Sequence, residues 1–128
     1  MKIWRFVVLV LSLVSCQTEG LIGKWQLKEH IGSNGAETFS TSIFNGTILE
    51  FKADSSVVRD GVAGKYYLSH HNNRGHTENR LILKFDDKEY HYLYDLTETK
   101  LSCTPVSDDF SIICDEGCSD IYYKSWFD

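Results

Sequence analysis

The sequence predicts an all-β fold, an eight-stranded antiparallel up-and-down barrel that follows a cleaved N-terminal signal peptide. Three observations predict it. Apolar side chains recur at period two in short segments along most of the chain, chemically explicit turns separate those segments, and no stretch of the mature chain keeps helical periodicity for more than a couple of turns. Eight sequential antiparallel strands remove their exposed edges by closing on themselves, and the interior is then filled by side chains or holds one small ligand. A two-sheet sandwich predicts nearly the same alternation, so periodicity leaves both arrangements open.

The elements follow in order. Residues 24–31 alternate Trp25, Leu27 and Ile31 against Lys24, Gln26, Lys28 and His30, which reads as a first strand. The polar stretch 32–44 reads as a loop or a short helical lid over an open end. Asn45-Gly46 has the chemistry of a type I′ turn and opens a strand over 47–51, which Asp54-Ser55-Ser56 ends. A strand over 57–59 continues, past the Asp60-Gly61 break, into 65–69. The segment His70 to His76 reads as a polar hairpin loop. Strands over 80–85 and 90–96 flank Asp86-Asp87, and the turn 97–100 leads into 101–105. Ser107-Asp108-Asp109 separates that strand from 110–114, and 120–126 completes the set.

Alternation assigns an inward face and with it a candidate ligand lining: Leu27, Glu29, Leu49, Phe51, Tyr66, Leu68, Leu83, Phe85, Tyr92 and Tyr94. Leu81, Tyr90 and Leu96 share that face. The mix of phenols and aliphatic groups suits an amphipathic ligand. Glu29 is the outlier, because a carboxylate facing inward beside Leu27 requires a cationic partner, a ligand or a place at the open end.

Residues 1–15 form the signal. Lys2 and Arg5 precede an apolar run from Phe6 to Val14 that is too short to span a membrane, and Leu13-Val14-Ser15-Cys16 resembles a lipobox. Similarity to bacterial lipoproteins implies that Cys16 becomes the lipidated first residue, with 16–20 as a short tether and 21–128 as the single β domain. Gln17 in second place, not Asp, implies the outer membrane by the same resemblance. Glu19 is the one acidic residue next to it, which implies the periplasmic face.

The chain holds 13 basic and 18 acidic residues; Lys2 and Arg5 leave with the signal, so the mature part has 11 basic residues against 18 acidic ones. That balance argues against nucleic acid as a partner. With Cys16 assigned to lipid, Cys103, Cys114 and Cys118 remain for an oxidising compartment. The three residues between Cys114 and Cys118 suit a hairpin loop with Gly117 at its left-handed position, which favours that pair; Cys103 with Cys118 is the alternative, closing a longer loop.

Gly23-Lys24-Trp25 resembles the opening Gly-x-Trp strand of the small lipocalin-like domains found in lipoproteins of Bacteroidetes-type bacteria. Leu49-Glu50-Phe51-Lys52-Ala53-Asp54-Ser55, Gly64-Lys65-Tyr66-Tyr67-Leu68, and Tyr94-Asp95-Leu96-Thr97 with Lys100-Leu101 are similar to that family's later segments in order and spacing. The resemblance implies that Trp25 plugs the closed end of a barrel beside Gly23, with Lys124 over its ring where the family more often has Arg.

Other constellations point to less. His70, His71 and His76 lack a completing ligand, and the acids around Asp108 to Asp120 lack calcium-loop spacing, so no metal or cofactor is expected. Hydrolase and phosphate-loop motifs are absent, and no catalytic residue is assigned. The expected function is therefore that of a monomeric, membrane-anchored binding module for a small hydrophobic molecule. A hydrolase inhibitor of the lysozyme-blocking kind and a structural envelope component with a solid core are the alternatives.

Overall fold

The computed structural model describes residues 20–33, 36–111, 113 and 117–125. These residues are all-β, without a helix. Nine antiparallel strands make one sheet: β1 (Gly23–Ser33), β2 (Thr38–Ser42), β3 (Ile48–Phe51), β4 (Ser56–Arg59), β5 (Val62–Asn73), β6 (His76–Lys84), β7 (Glu89–Leu96), β8 (Lys100–Val106) and β9 (Cys118–Ser125). Each strand from β3 to β9 pairs with the next, and β9 pairs with β1 from Ser125 opposite Lys24 to Cys118 opposite Gly32. Eight strands thus form a ring. Following the pairings once around it returns to β1 displaced by about 12 residues, the kind of stagger that a closed, tilted sheet requires.

The ninth strand lies where the sequence suggests a loop or a helical lid. β2 pairs with the end of β1, from Glu29 opposite Ser42 to Ser33 opposite Thr38, while β3 pairs with its beginning, from Gly23 opposite Phe51 to Gln26 opposite Ile48. β2 and β3 therefore act as one strand interrupted between Ile43 and Thr47. Asn45 is left-handed at φ 51°, but Gly46 is not among the glycines with positive φ, so the type I′ turn expected of this pair does not form. Gly46 is needed for a different reason: a Cβ on it would lie 2.2 Å from the Leu27 carbonyl oxygen.

Two further expectations change. The segment 57–69 is not one broken strand but the hairpin β4–β5, turned by Asp60 (φ 48°) and Gly61 (φ 85°), which both take the positive φ of a two-residue turn. The second hairpin, β5–β6, carries pairing out to Asn73 opposite His76 around Arg74 (φ 50°) and Gly75 (φ 83°), so the histidine segment is largely strand. The expected strand over 110–114 is absent from its described residues. Phe110, at φ 61°, instead folds onto the outside of the ring, with its ring 5.3 Å from His91 and under the Arg80 guanidinium at 4.5 Å.

One core fills the middle of the ring. Trp25, Leu49, Phe51, Val57, Leu81, Leu83 and Leu101 are each at most 2% exposed. They come from five strands, all in the alternation phase that points inward. Burying each such side chain contributes about 1.5–3 kcal/mol, which is why period two survives along the whole chain.

Candidate functional site

Antiparallel order places the β1–β2, β4–β5, β6–β7 and β8–β9 connections at one end of the ring and the β3–β4, β5–β6 and β7–β8 turns at the other. The second end is the plugged base. The Trp25 indole donates to the Leu21 carbonyl at 2.8 Å, and Leu21 is itself buried. Lys124 Nζ lies 5.2 Å from the Trp25 ring centroid and donates to the Ile22 carbonyl at 3.1 Å. Gly23, at φ 133°, allows this approach, since a Cβ there would crowd Lys124 Cε at 3.1 Å. Gly23, Trp25 and Lys124 thus form a structural cluster. Nearby, the Tyr66 hydroxyl donates to the Lys52 carbonyl at 2.8 Å.

The opposite end is the mouth, and its chemistry differs. Arg59, at the end of β4, shares the inward phase of Val57 and stacks its guanidinium 4.6 Å from the Tyr90 ring centroid. Among the described residues the ion pairs are His30–Asp120, Arg80–Glu78 and His91–Glu89, and none involves Arg59. Asp120 accepts from, or shares a proton with, His30 Nδ1 at 2.7 Å, opposite Cys103 in the β8–β9 register. Tyr92 and Tyr122 face the same space without a hydrogen bond to a described residue. Burial raises both phenols, Tyr92 to about 12, while the positive charge of Arg59 opposes part of that shift. Both remain neutral hydrogen-bond donors at any physiological pH.

Among the clefts at this end, two share Tyr90. One, of about 570 Å³, runs between the β7 and β8 rims and includes Tyr92, Pro105, Val106 and Ile113. The other, of about 300 Å³, surrounds Arg59 with Val62, Phe85, Lys88 and Tyr90, beside Asp60 and Asp87.

The residues assigned to a ligand lining separate by height along the ring. Leu49, Phe51, Tyr66 and Leu83 are buried core, and Phe85 is nearly so. Leu27, Leu68, Tyr92 and Tyr94 are partly buried against that core. Leu68 and Tyr94 belong to the base half, leaving Leu27, Phe85 and Tyr92 nearest the mouth.

Glu29 is on the other face. The β1–β9 register shifts between Leu27 and Glu29, and this bulge inverts the alternation, so that His30 and Gly32 take the inward phase. Glu29 instead accepts from the Tyr123 hydroxyl at 3.0 Å and from Ser40 Oγ at 2.9 Å. Its carboxylate is satisfied outside the ring.

Sequence reasoning did not single out Arg59, His30, Asp120 or Tyr122. Arg59 occupies an inward position in its strand by simple alternation, and that signal was present; His30 was hidden by the bulge.

Cys103 is a free, buried thiol, raised well above its usual range by burial. Cys118 is disulfide-bonded, which removes the Cys103–Cys118 alternative. Cys114 and Cys16, the residue expected to carry lipid, lie outside the described residues. Of the histidine segment, His70 Nδ1 contacts Asn79 Oδ1 at 2.7 Å, and among the described residues no three His, Cys, Asp or Glu side chains gather into a metal site. No family model matches the chain, and neither a curated protein nor a solved structure matches it.

Proposed function

We propose that this chain is a lipocalin-like lipoprotein: an eight-stranded up-and-down barrel, anchored through lipidated Cys16 to the outer membrane on its periplasmic side, that binds a small hydrophobic or amphipathic molecule at its mouth. The observation that carries the reading is the contrast inside one ring. A filled core supports, toward the mouth, inward side chains with unused polar capacity: the Arg59 guanidinium, without an ion pair, and the Tyr92 phenol, without a hydrogen-bond partner among the described residues. Structural cores satisfy or exclude such groups, whereas ligand pockets place a few of them among apolar walls. The ring of eight strands and its stagger support the barrel. The plugged base, with a cation over Trp25, supports the lipocalin-like assignment. The fold by itself implies no ligand, so the binding reading rests on the mouth.

Native mass spectrometry of the chain with Cys16→Ala, which lacks the acyl acceptor, tests it. The expected spectrum shows one molecule of an added medium-chain amphiphile per chain. Absence of any adduct across fatty acids, alcohols and aromatic amphiphiles, from a protein with its β-sheet circular dichroism intact, would overturn the reading.

A further inference from the structure

We infer that the cleft around Arg59 holds the anionic head of a single-chain amphiphile, a carboxylate by preference, with the apolar chain directed outward over the rim. This rests on the binding reading above and specifies its ligand class. Arg59 is half-buried and its guanidinium faces Tyr90 rather than a carboxylate. A partly desolvated guanidinium without a counter-ion is a site of unspent attraction for an anion, and its fork matches the two oxygens of a carboxylate.

The surroundings support the same ligand. Asp60 shares the cleft, but its carboxylate is engaged by the Ile48 backbone N–H at 2.9 Å, and Asp87 lines the cleft together with a second cation, Lys88. Asp120 faces the lumen as well, hydrogen-bonded to His30. Tyr90, under the guanidinium, and Phe85 line the cleft with Val62, so its walls are largely apolar around the cation.

Orientation follows from packing. Leu83, Leu101 and Cys103 are at most 1% exposed and close the floor, so no alkyl chain fits beneath the polar groups. Exposed apolar surface is instead available at the rim. Val62 is 60%, Ile113 57% and Phe39 49% exposed, and all three belong to elements at the mouth end. An amphiphile therefore enters head first.

Titration calorimetry on the Cys16→Ala chain with dodecanoate, dodecanol and acetate tests this. Dodecanoate should bind at least about tenfold more tightly than dodecanol, the increment expected of one charge-assisted contact, and acetate should bind far more weakly than dodecanoate. Arg59→Gln should abolish the preference for dodecanoate over dodecanol, and Arg59→Lys should retain part of it. Thermal unfolding of both variants separates misfolding from loss of recognition. Equal affinity for acid and alcohol in the parent chain, or a preference that survives Arg59→Gln, overturns the inference while the binding reading stands. If acetate matches dodecanoate, the site is one for plain anions and the inference also falls. Failure of both twelve-carbon ligands to bind overturns the inference, and the binding reading falls with it when aromatic amphiphiles also leave no adduct.

Discussion

The middle of the ring and its mouth are built from the same alternating strands, yet they behave as different materials. From the base to mid-height the inward positions include Trp25, Leu49, Phe51, Val57 and Leu81, all but sealed from water. Toward the mouth the inward positions become Arg59, two residues beyond Val57 on β4, with Tyr90 and Tyr92 on β7 and Asp120 on β9, partly exposed and partly unpaired. Alternation decides which face a side chain takes. Height along the strand decides whether that face is core or site. A ring lets one sequence rule serve both purposes, because packing the middle leaves the ends free to carry chemistry.

The sharpest way to break the comparison is to open the core from below. Trp25→Ala removes the largest fully buried side chain, its hydrogen bond to Leu21 and the surface under Lys124. Denaturant unfolding should show a loss of about 3–5 kcal/mol, the range for a buried aromatic replaced by alanine. Cys103 provides an independent readout. Its thiol is buried and its ionisation is suppressed, so iodoacetamide at pH 8 should leave it untouched in the parent chain and modify it in Trp25→Ala at low denaturant. Equal stability of the two proteins would mean that the base is not the closure described here.

A smaller effect is expected where the ring wall itself is interrupted. At Gly46 the backbone passes so close to Leu27 that any Cβ must push the β2–β3 break outward. Gly46→Ala should cost about 1–3 kcal/mol by thermal or denaturant unfolding, in the range of overpacked sites. A null result would show that the break between Ile43 and Thr47 yields freely, and that the mouth half of the wall is softer than the core half.

Much of the ring was legible from residues alone. Turn chemistry at Asp60-Gly61 and at Thr97 to Lys100, and period two in β3 and in β5 through β9, are local signals that tertiary contacts leave intact. Three features were not local. β2 has a single apolar residue, Phe39, among four polar ones, with all five exposed, so no alternation marks it; it exists because the end of β1 offers an unpaired edge. Phe110 has the look of a strand residue and instead covers Arg80 and His91 from a loop. The candidate site depended on height around a staggered ring, which requires the strand register and cannot be read from any one segment. Period two marked Leu49, Phe51, Tyr66 and Leu83 as inward, and inward they are, but as core.

Glu29 makes the finest test, because here alternation and structure disagree by a single residue. Strict period two from Trp25 through Leu27 turns its carboxylate into the ring, where it would compete with any anionic head for Arg59. The bulge after Leu27 instead hands the inward phase to His30 and leaves Glu29 bonded to Tyr123 and Ser40 on the outer face. Half-exposed hydrogen bonds of this kind contribute about 0.5–1.5 kcal/mol each at most, and screening by solvent lowers the value for a carboxylate. Glu29→Ala should therefore cost no more than about 1 kcal/mol in unfolding and leave dodecanoate affinity within twofold of the parent. A gain in affinity of tenfold or more would put the carboxylate back inside the ring, since removing a buried negative charge is the one change that would strengthen an anion site from that position. A bulge shifts phase without changing composition, so only such a measurement separates the two placements of one side chain.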